Sequence, residues 1–221
     1  QAGRSYAFIN QHETAVARYQ AAQVIDPKHS YADDALLREA EEWDSLKKDD
    51  DVTRVLSSLP AKFPAGDMRA EAMWRLGWRA WRSKKLKDAI TWWQKQIEVM
   101  PIDDNYWAEG QAQYWIGRAQ LALGNRAKAL ESWESTIRGY PAAYYAMMAM
   151  NRIREVAPER YAKLVAELSA DPPGFDPKAP AFTFKPRPEW GTAGFARAME
   201  LLRLGLGEPA RAELRLLGLT P

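Results

Sequence analysis

The feature that most limits this chain is that it repeats itself. Ala70 to Pro101 reads AEAMWRLGWRAWRSKKLKDAITWWQKQIEVMP, and Gly110 to Pro141 reads GQAQYWIGRAQLALGNRAKALESWESTIRGYP. Gly77 and Gly117, Ala89 and Ala129, Trp93 and Trp133, and Pro101 and Pro141 are four pairs at one offset of 40 residues. Each unit holds an apolar-periodic segment, a break at Lys84-Lys85 or Gly124-Asn125, a second such segment and a proline stop. That order predicts a helix–turn–helix hairpin. A glycine in the first helix lets the two backbones approach, an alanine does the same from the second, and the indole fills the space beyond. Proline lacks the N–H that a continuing helix needs.

Weaker copies extend toward the N-terminus. Anchoring on Pro64 places Leu36, Ala40 and Trp43 in a first helix and Val52, Leu56 and Leu59 in a second. Anchoring on Pro27 places Gly3 and Tyr6, then Ala15, Tyr19 and Ala22. Repeats are thus expected at about 1–27, 28–64, 67–101 and 107–141, with helices over 142–169 and a helix start at Pro158. Residues 171–190 hold six of the fourteen prolines and read as an extended loop. Residues 191–221 read as a final hairpin continuing the superhelix, with Thr192 as N-cap and a turn at Gly205–Gly207. Arrays of this kind close with polar ends. Neither end here looks polar, so the chain is expected to be an internal section of a longer protein. The expected fold is all-α, a superhelix of antiparallel hairpins. Its spacing of small residue, alanine, aromatic and proline resembles the tetratricopeptide class.

Composition narrows the chemistry. Thirty-one Lys and Arg against 29 Asp and Glu leave a formal charge of +2, which gives no reason to expect nucleic acid. With no cysteine and two isolated histidines, His12 and His29, thiolate sites and His-centred catalysis lose their parts. No cofactor, metal or membrane span is expected. Ten tryptophans and nine tyrosines are the anomaly.

Several runs resemble a known family. They are Gln113-Tyr114-Trp115-Ile116-Gly117-Arg118-Ala119, then Tyr140-Pro141-Ala142-Ala143-Tyr144-Tyr145-Ala146 leading to Asn151-Arg152-Ile153, and Arg197-Ala198-Met199-Glu200-Leu201-Leu202-Arg203-Leu204-Gly205-Leu206. Together they are similar to the superhelical region of soluble lytic murein transglycosylases. The resemblance implies a periplasmic location, peptidoglycan glycan strands as a partner, and a separate C-terminal lysozyme-like domain that cleaves them. The family's catalytic glutamate lies in a Glu-Ser motif followed by a Gly-Leu-Met-Gln-like segment. Glu131-Ser132 and Glu134-Ser135 fall inside a repeat helix and no such segment follows, so no catalytic residue is transferred. The alternative is a periplasmic tetratricopeptide-type scaffold for protein–protein interaction in envelope assembly.

The candidate groove residues are Trp74, Trp78, Trp81, Tyr114, Arg118, Arg75 and Arg79. Trp74, Trp78 and Trp81 share one helical face at i, i+4, i+7. They read either as packing against the preceding repeat or under the proline-rich loop, or as a platform for sugar rings or peptide side chains. Tyr114, Arg118 and Leu121 hold the same positions one repeat on. Arg75, Arg79 and Arg82 form a second stripe, read as a solvated face over aromatic neighbours or as a contact for acidic groups. Asp49–Asp51 are expected to favour the positive end of the following helix.

Overall fold

A computed structural model describes residues 1–101, 108–171, 174–176, 178 and 187–219. It divides the chain into two compact units, 1–169 and 170–221. Among the described residues there are twelve α-helices and no strand, so the all-α expectation holds.

The first unit is a row of helix hairpins: α1 Ala2–Phe8 with α2 His12–Ile25, α3 Ala32–Ser45 with α4 Asp49–Lys62, α5 Arg69–Arg82 with α6 Leu86–Val99, α7 Gln111–Ala122 with α8 Arg126–Gly139, and α9 Tyr144–Val156 with α10 Pro158–Ser169. Each hairpin also packs its second helix on the first helix of the next, which makes this unit an α-solenoid. The second unit contains the short 3₁₀ turn Pro188–Gly191 and the hairpin α11 Ala193–Arg203 with α12 Gly207–Leu216. Thr192 caps α11, its hydroxyl accepting the Phe195 N–H. Most of the proline-rich stretch 171–190 lies outside the described residues.

One packing device sets the hairpin geometry. A small residue on the first helix faces an alanine or valine twelve positions later and a larger side chain sixteen positions later: Gly3 with Ala15 and Tyr19, Ala40 with Val52 and Leu56, Gly77 with Ala89 and Trp93, Gly117 with Ala129 and Trp133, and, in the second unit, Ala198 with Ala210 and Leu214. A Cβ added at Gly77 would lie 2.3 Å from Trp93 Nε1, and one at Gly117 would lie 2.4 Å from Trp133 Nε1. Both indoles are fully buried. Gly3 stands in the same relation to the Tyr19 ring, at 2.7 Å. Where the larger partner is only Leu56, alanine fits at position 40 and both are buried. The register deduced from glycine and tryptophan spacing is therefore the register of the fold.

The turns are equally regular. Seven residues after each small position the chain enters the left-handed region, at Asn10, Lys47, Lys84, Gly124 and Gly205. In α5–α6 the Lys84 N–H reaches the Trp81 carbonyl and the Lys85 N–H reaches the Ala80 carbonyl, and the other four turns repeat this backbone pair. Such bonds satisfy the orphan carbonyls of the first helix without a side-chain cap.

Candidate functional site

The helix α5 is amphipathic, and its buried side carries Ala72, Met73, Leu76, Gly77 and Ala80. That leaves Trp74, Trp78 and Trp81 on an adjoining face, where each is half-buried. Trp74 stacks on Trp78 with centroids 5.8 Å apart and on the buried Trp93 at 5.7 Å. Trp81 lies 6.3 Å from Trp93. Trp115 of α7 inserts its edge against this row, 4.9 Å from Trp78 and 5.3 Å from Trp81. Edge-to-face contacts at these distances are favoured by the aromatic quadrupole. The stripe thus packs on its own hairpin and on the following repeat; of the alternatives read from the sequence, the proline-rich loop lies mostly outside the described residues.

Trp115 was not among the residues singled out for this face. Its counterpart one repeat earlier is Arg75, so the alignment of repeats that identifies the stripe gives it no partner. The usable signal is its position one residue after Tyr114.

Tyr114 lies in the core, 2% exposed. Its ring contacts Trp115 and Tyr145, with centroids 5.7 and 5.5 Å away. Its carbonyl accepts the Trp133 indole N–H at 3.1 Å, and its phenol oxygen accepts from Arg118 Nη1 at 3.2 Å. The Arg118 guanidinium lies over the Trp115 ring, 5.3 Å from its centroid. Tyr114 therefore presents its hydroxyl to the face while its ring fills the core.

Arg75 and Arg79 point the other way, to the α3–α4 hairpin. Arg75 donates to Glu41 at 2.8 Å and to Glu71 at 2.6 Å. Burial works against its charge, but hydrogen bonds to these two carboxylates outweigh it and hold the guanidinium above its ordinary pKa. Arg79 bridges Asp44 and Asp49. Arg75 and Arg79 of the basic stripe form a clasp between repeats, with Glu41, Asp44 and Asp49 as its other half, while Arg82 is exposed. An open cavity of 810 Å³ lies beside the clasp, lined by Asp44, Asp49, Asp88, Arg79, Lys85 and Trp92. It is set apart from the indole row: none of Trp74, Trp78, Trp81 or Trp115 lines it.

The face formed by α5 and α7 offers half-exposed indole faces and the Arg118 guanidinium, which donates to the buried Tyr114 hydroxyl. It can take apolar or aromatic groups by stacking, and it has no arrangement of acid, base and nucleophile.

Residues 111–143, which span α7, α8 and the proline stop, match the tetratricopeptide-repeat family model. The α7–α8 hairpin is therefore similar to a tetratricopeptide repeat. By sequence, no curated protein matches the chain. Among solved structures, MamA is 20% identical, with a TM-score of 0.49 over 76% of this chain and 94% of that one. PilF from Pseudomonas aeruginosa is 17% identical, with a TM-score of 0.45 over 98% of this chain and 89% of that one. Neither supplies a residue role. No helix among the described residues is long and apolar enough to cross a membrane.

Proposed function

We propose that this chain is a non-catalytic tetratricopeptide-like scaffold that holds a segment of a partner protein against the aromatic face of α5 and α7. The observation that carries the reading is the group of four indoles, Trp74, Trp78, Trp81 and Trp115, left half-exposed after both neighbouring hairpins have packed. Stacking on indoles holds apolar and aromatic side chains without demanding one sequence. Selection of peptides from a random library on the purified chain tests this. Selected peptides should be rich in aromatic and apolar residues and should lose binding to Trp78→Ser. Selected peptides that bind Trp78→Ser unchanged would place the site elsewhere.

A finer reading is that the scaffold belongs to a periplasmic lytic transglycosylase and positions murein for a separate catalytic domain. It is supported by the Tyr-Trp-Ile-Gly-Arg-Ala run at 114–119 and by the suitability of indole faces for sugar rings. Binding to purified murein sacculi, lost in Trp78→Ser, is the expected result, with no release of anhydromuropeptides by this chain. A parent gene that encodes no Glu-Ser and Gly-Leu-Met-Gln-like domain after Pro221 would remove this reading and leave the scaffold intact.

A further inference from the structure

Charge is sorted between the two rows of helices in the later hairpins of the first unit. The first helices α5, α7 and α9 carry seven arginines, no lysine and two glutamates, a surplus of five positive charges. The second helices α6, α8 and α10 carry seven basic and six acidic residues, a surplus of one. The row that bears the indoles is therefore the row that bears the charge. The first helix before it, α3, is the reverse, with one arginine against six carboxylates.

Part of this charge is neutralised inside the fold. Arg75 and Arg79 close the clasp onto α3 and α4, and Arg152 pairs with Glu155 on its own helix. Both glutamates of the row, Glu71 and Glu155, are taken up in these pairs. Among the described residues, Arg69, Arg82, Arg118 and Arg154 meet no carboxylate, and Arg69 donates to the Gly66 carbonyl. Arg118 lies over the Trp115 ring and donates to the Tyr114 hydroxyl, so it stands where the charge meets the indoles. Arg82 follows Trp78 by one turn of α5 and is exposed, as is Arg154, whose guanidinium lies over the Tyr161 ring. Ring contacts join the three helices: Trp115 of α7 meets Trp78 of α5, and Tyr145 of α9 meets Tyr114 of α7. Tryptophan and arginine are the side chains that most often dominate binding energy, and a guanidinium sheds water more readily than an ammonium.

We propose that this face selects acidic segments of its partner: an apolar or aromatic side chain seats on Trp78 and Trp115, and carboxylates flanking it answer the unpaired arginines, Arg118 first. This rests on the peptide-scaffold reading and names the chemistry of its ligand. Charge complementarity makes the choice. An acidic segment gains from each unpaired guanidinium within a Debye length of about 10 Å, and a basic segment loses. The field therefore sorts partners before close contacts form. A nucleic acid strand fits less well. It carries a negative charge at every nucleotide, so beyond α5 it would meet the carboxylates of α3, whereas a short acidic segment ends before them.

Three hexapeptides, titrated into the full chain by calorimetry, test this. Each has a central Trp-Leu pair, flanked on both sides by two Glu, two Gln or two Lys residues. At low salt the Glu peptide should bind about tenfold tighter than the Gln peptide. The Lys peptide should bind weakest, and the spread should narrow as salt is raised. In the combined variant Arg82→Gln, Arg118→Gln and Arg154→Gln, with helix content by circular dichroism unchanged, the Glu preference should vanish. The combined variant Lys87→Gln, Lys128→Gln and Lys163→Gln removes the same charge from the second helices and should keep most of it. Equal loss in both variants would reduce the effect to net charge and overturn the assignment to this face. Equal affinity of the Glu and Gln peptides, with the indole N–H resonances moving, overturns the acidic preference and leaves the aromatic groove standing. If no peptide binds, both fall. An oligothymidylate that binds tighter than the Glu peptide, and is lost in the arginine variant, would make the occupant a nucleic acid and overturn the proposal.

Discussion

The hairpins α5–α6 and α7–α8 share one register and differ in nearly every polar detail. Both seat a buried indole over a glycine. In α7–α8 the Trp133 N–H donates to the Tyr114 carbonyl, and Thr136 bonds back to the Ser132 carbonyl. In α5–α6 the corresponding Trp93 indole N–H and the Gln96 side-chain Oε1 are buried without a partner among the described residues. The first helix of one presents Trp74, Trp78 and Trp81; the first helix of the other presents Tyr114, Arg118 and Leu121 at the same places. Packing volume is what the repeat preserves, and hydrogen bonding and surface chemistry are where it diverges. Residues that set volume can therefore be exchanged between the hairpins, while polar and surface residues cannot.

The largest effect belongs to what the two share. Gly77→Leu and Gly117→Leu should each cost about 3 kcal/mol or more, since a Cβ alone would overlap an indole ring well inside van der Waals contact. An unchanged melting temperature in either variant would refute the register. Next comes the surface that differs. Trp78→Ala should cost about 1–3 kcal/mol, because a half-buried indole loses stacking on Trp74 and the edge contact from Trp115. Arg118→Ala at the matching position should stay within about 0.5–1 kcal/mol. Equal losses in chemical denaturation would mean that the two faces do the same structural work.

The N–H contrast can be isolated. Trp133→Phe removes ring volume and the indole bond to the Tyr114 carbonyl, which keeps its helical partner; Trp93→Phe removes the same volume and also relieves an unsatisfied buried donor. Trp133→Phe should be the more destabilising by about 1–2 kcal/mol. The reverse order in urea titrations would show that the Trp93 N–H is in fact satisfied.

How much of this was legible in the sequence follows from the same division. Gly77, Gly117, Trp93 and Trp133 were readable because volume complementarity recurs at a constant offset. The clasp of Arg75 and Arg79 was not, because its partners across the repeats, Glu41, Asp44 and Asp49, lie 30–35 residues back in a repeat of different length, and no local pattern joins them. His12 looked isolated for the same reason, yet its ring meets Glu42 at 2.7 Å across the α2–α3 contact. Tyr114 aligned with the half-buried Trp74 but is itself fully buried, with Tyr145 of the next hairpin against its ring. Contacts within a hairpin have fixed sequence separation, and contacts between hairpins do not.

The turns extend the comparison to the backbone. Lys84 and Gly124 occupy the same left-handed position, at φ of 62° and 81°. A lysine pays a steric penalty there that glycine does not. Lys84→Gly should raise stability, or at worst leave it level, because glycine's larger unfolded-state entropy offsets part of the relief. Gly124→Ala should lower it by about 1 kcal/mol. Opposite signs in thermal melts are the outcome to look for; a loss in both would mean that Lys84 makes a compensating contact.

The smallest effect separates the two second helices by charge. Glu134 on α8 pairs with Arg160 of α10, whose hydrogen bonds hold its carboxyl below the ordinary range. The matching residue on α6 is Gln94, which is exposed. A carboxyl whose folded pKa is depressed stabilises the fold above its unfolded pKa and loses that contribution as pH falls through the folded one. Glu134→Gln should therefore cost at most about 1 kcal/mol near neutral pH. The difference from the parent chain should shrink as the solution is acidified below the usual carboxylate range, while Gln94→Glu, at a position with no arginine partner among the described residues, should show no matching gain. A penalty for Glu134→Gln that stays constant down to low pH would assign the residue a packing role and remove the ion pair from the distinction between the hairpins.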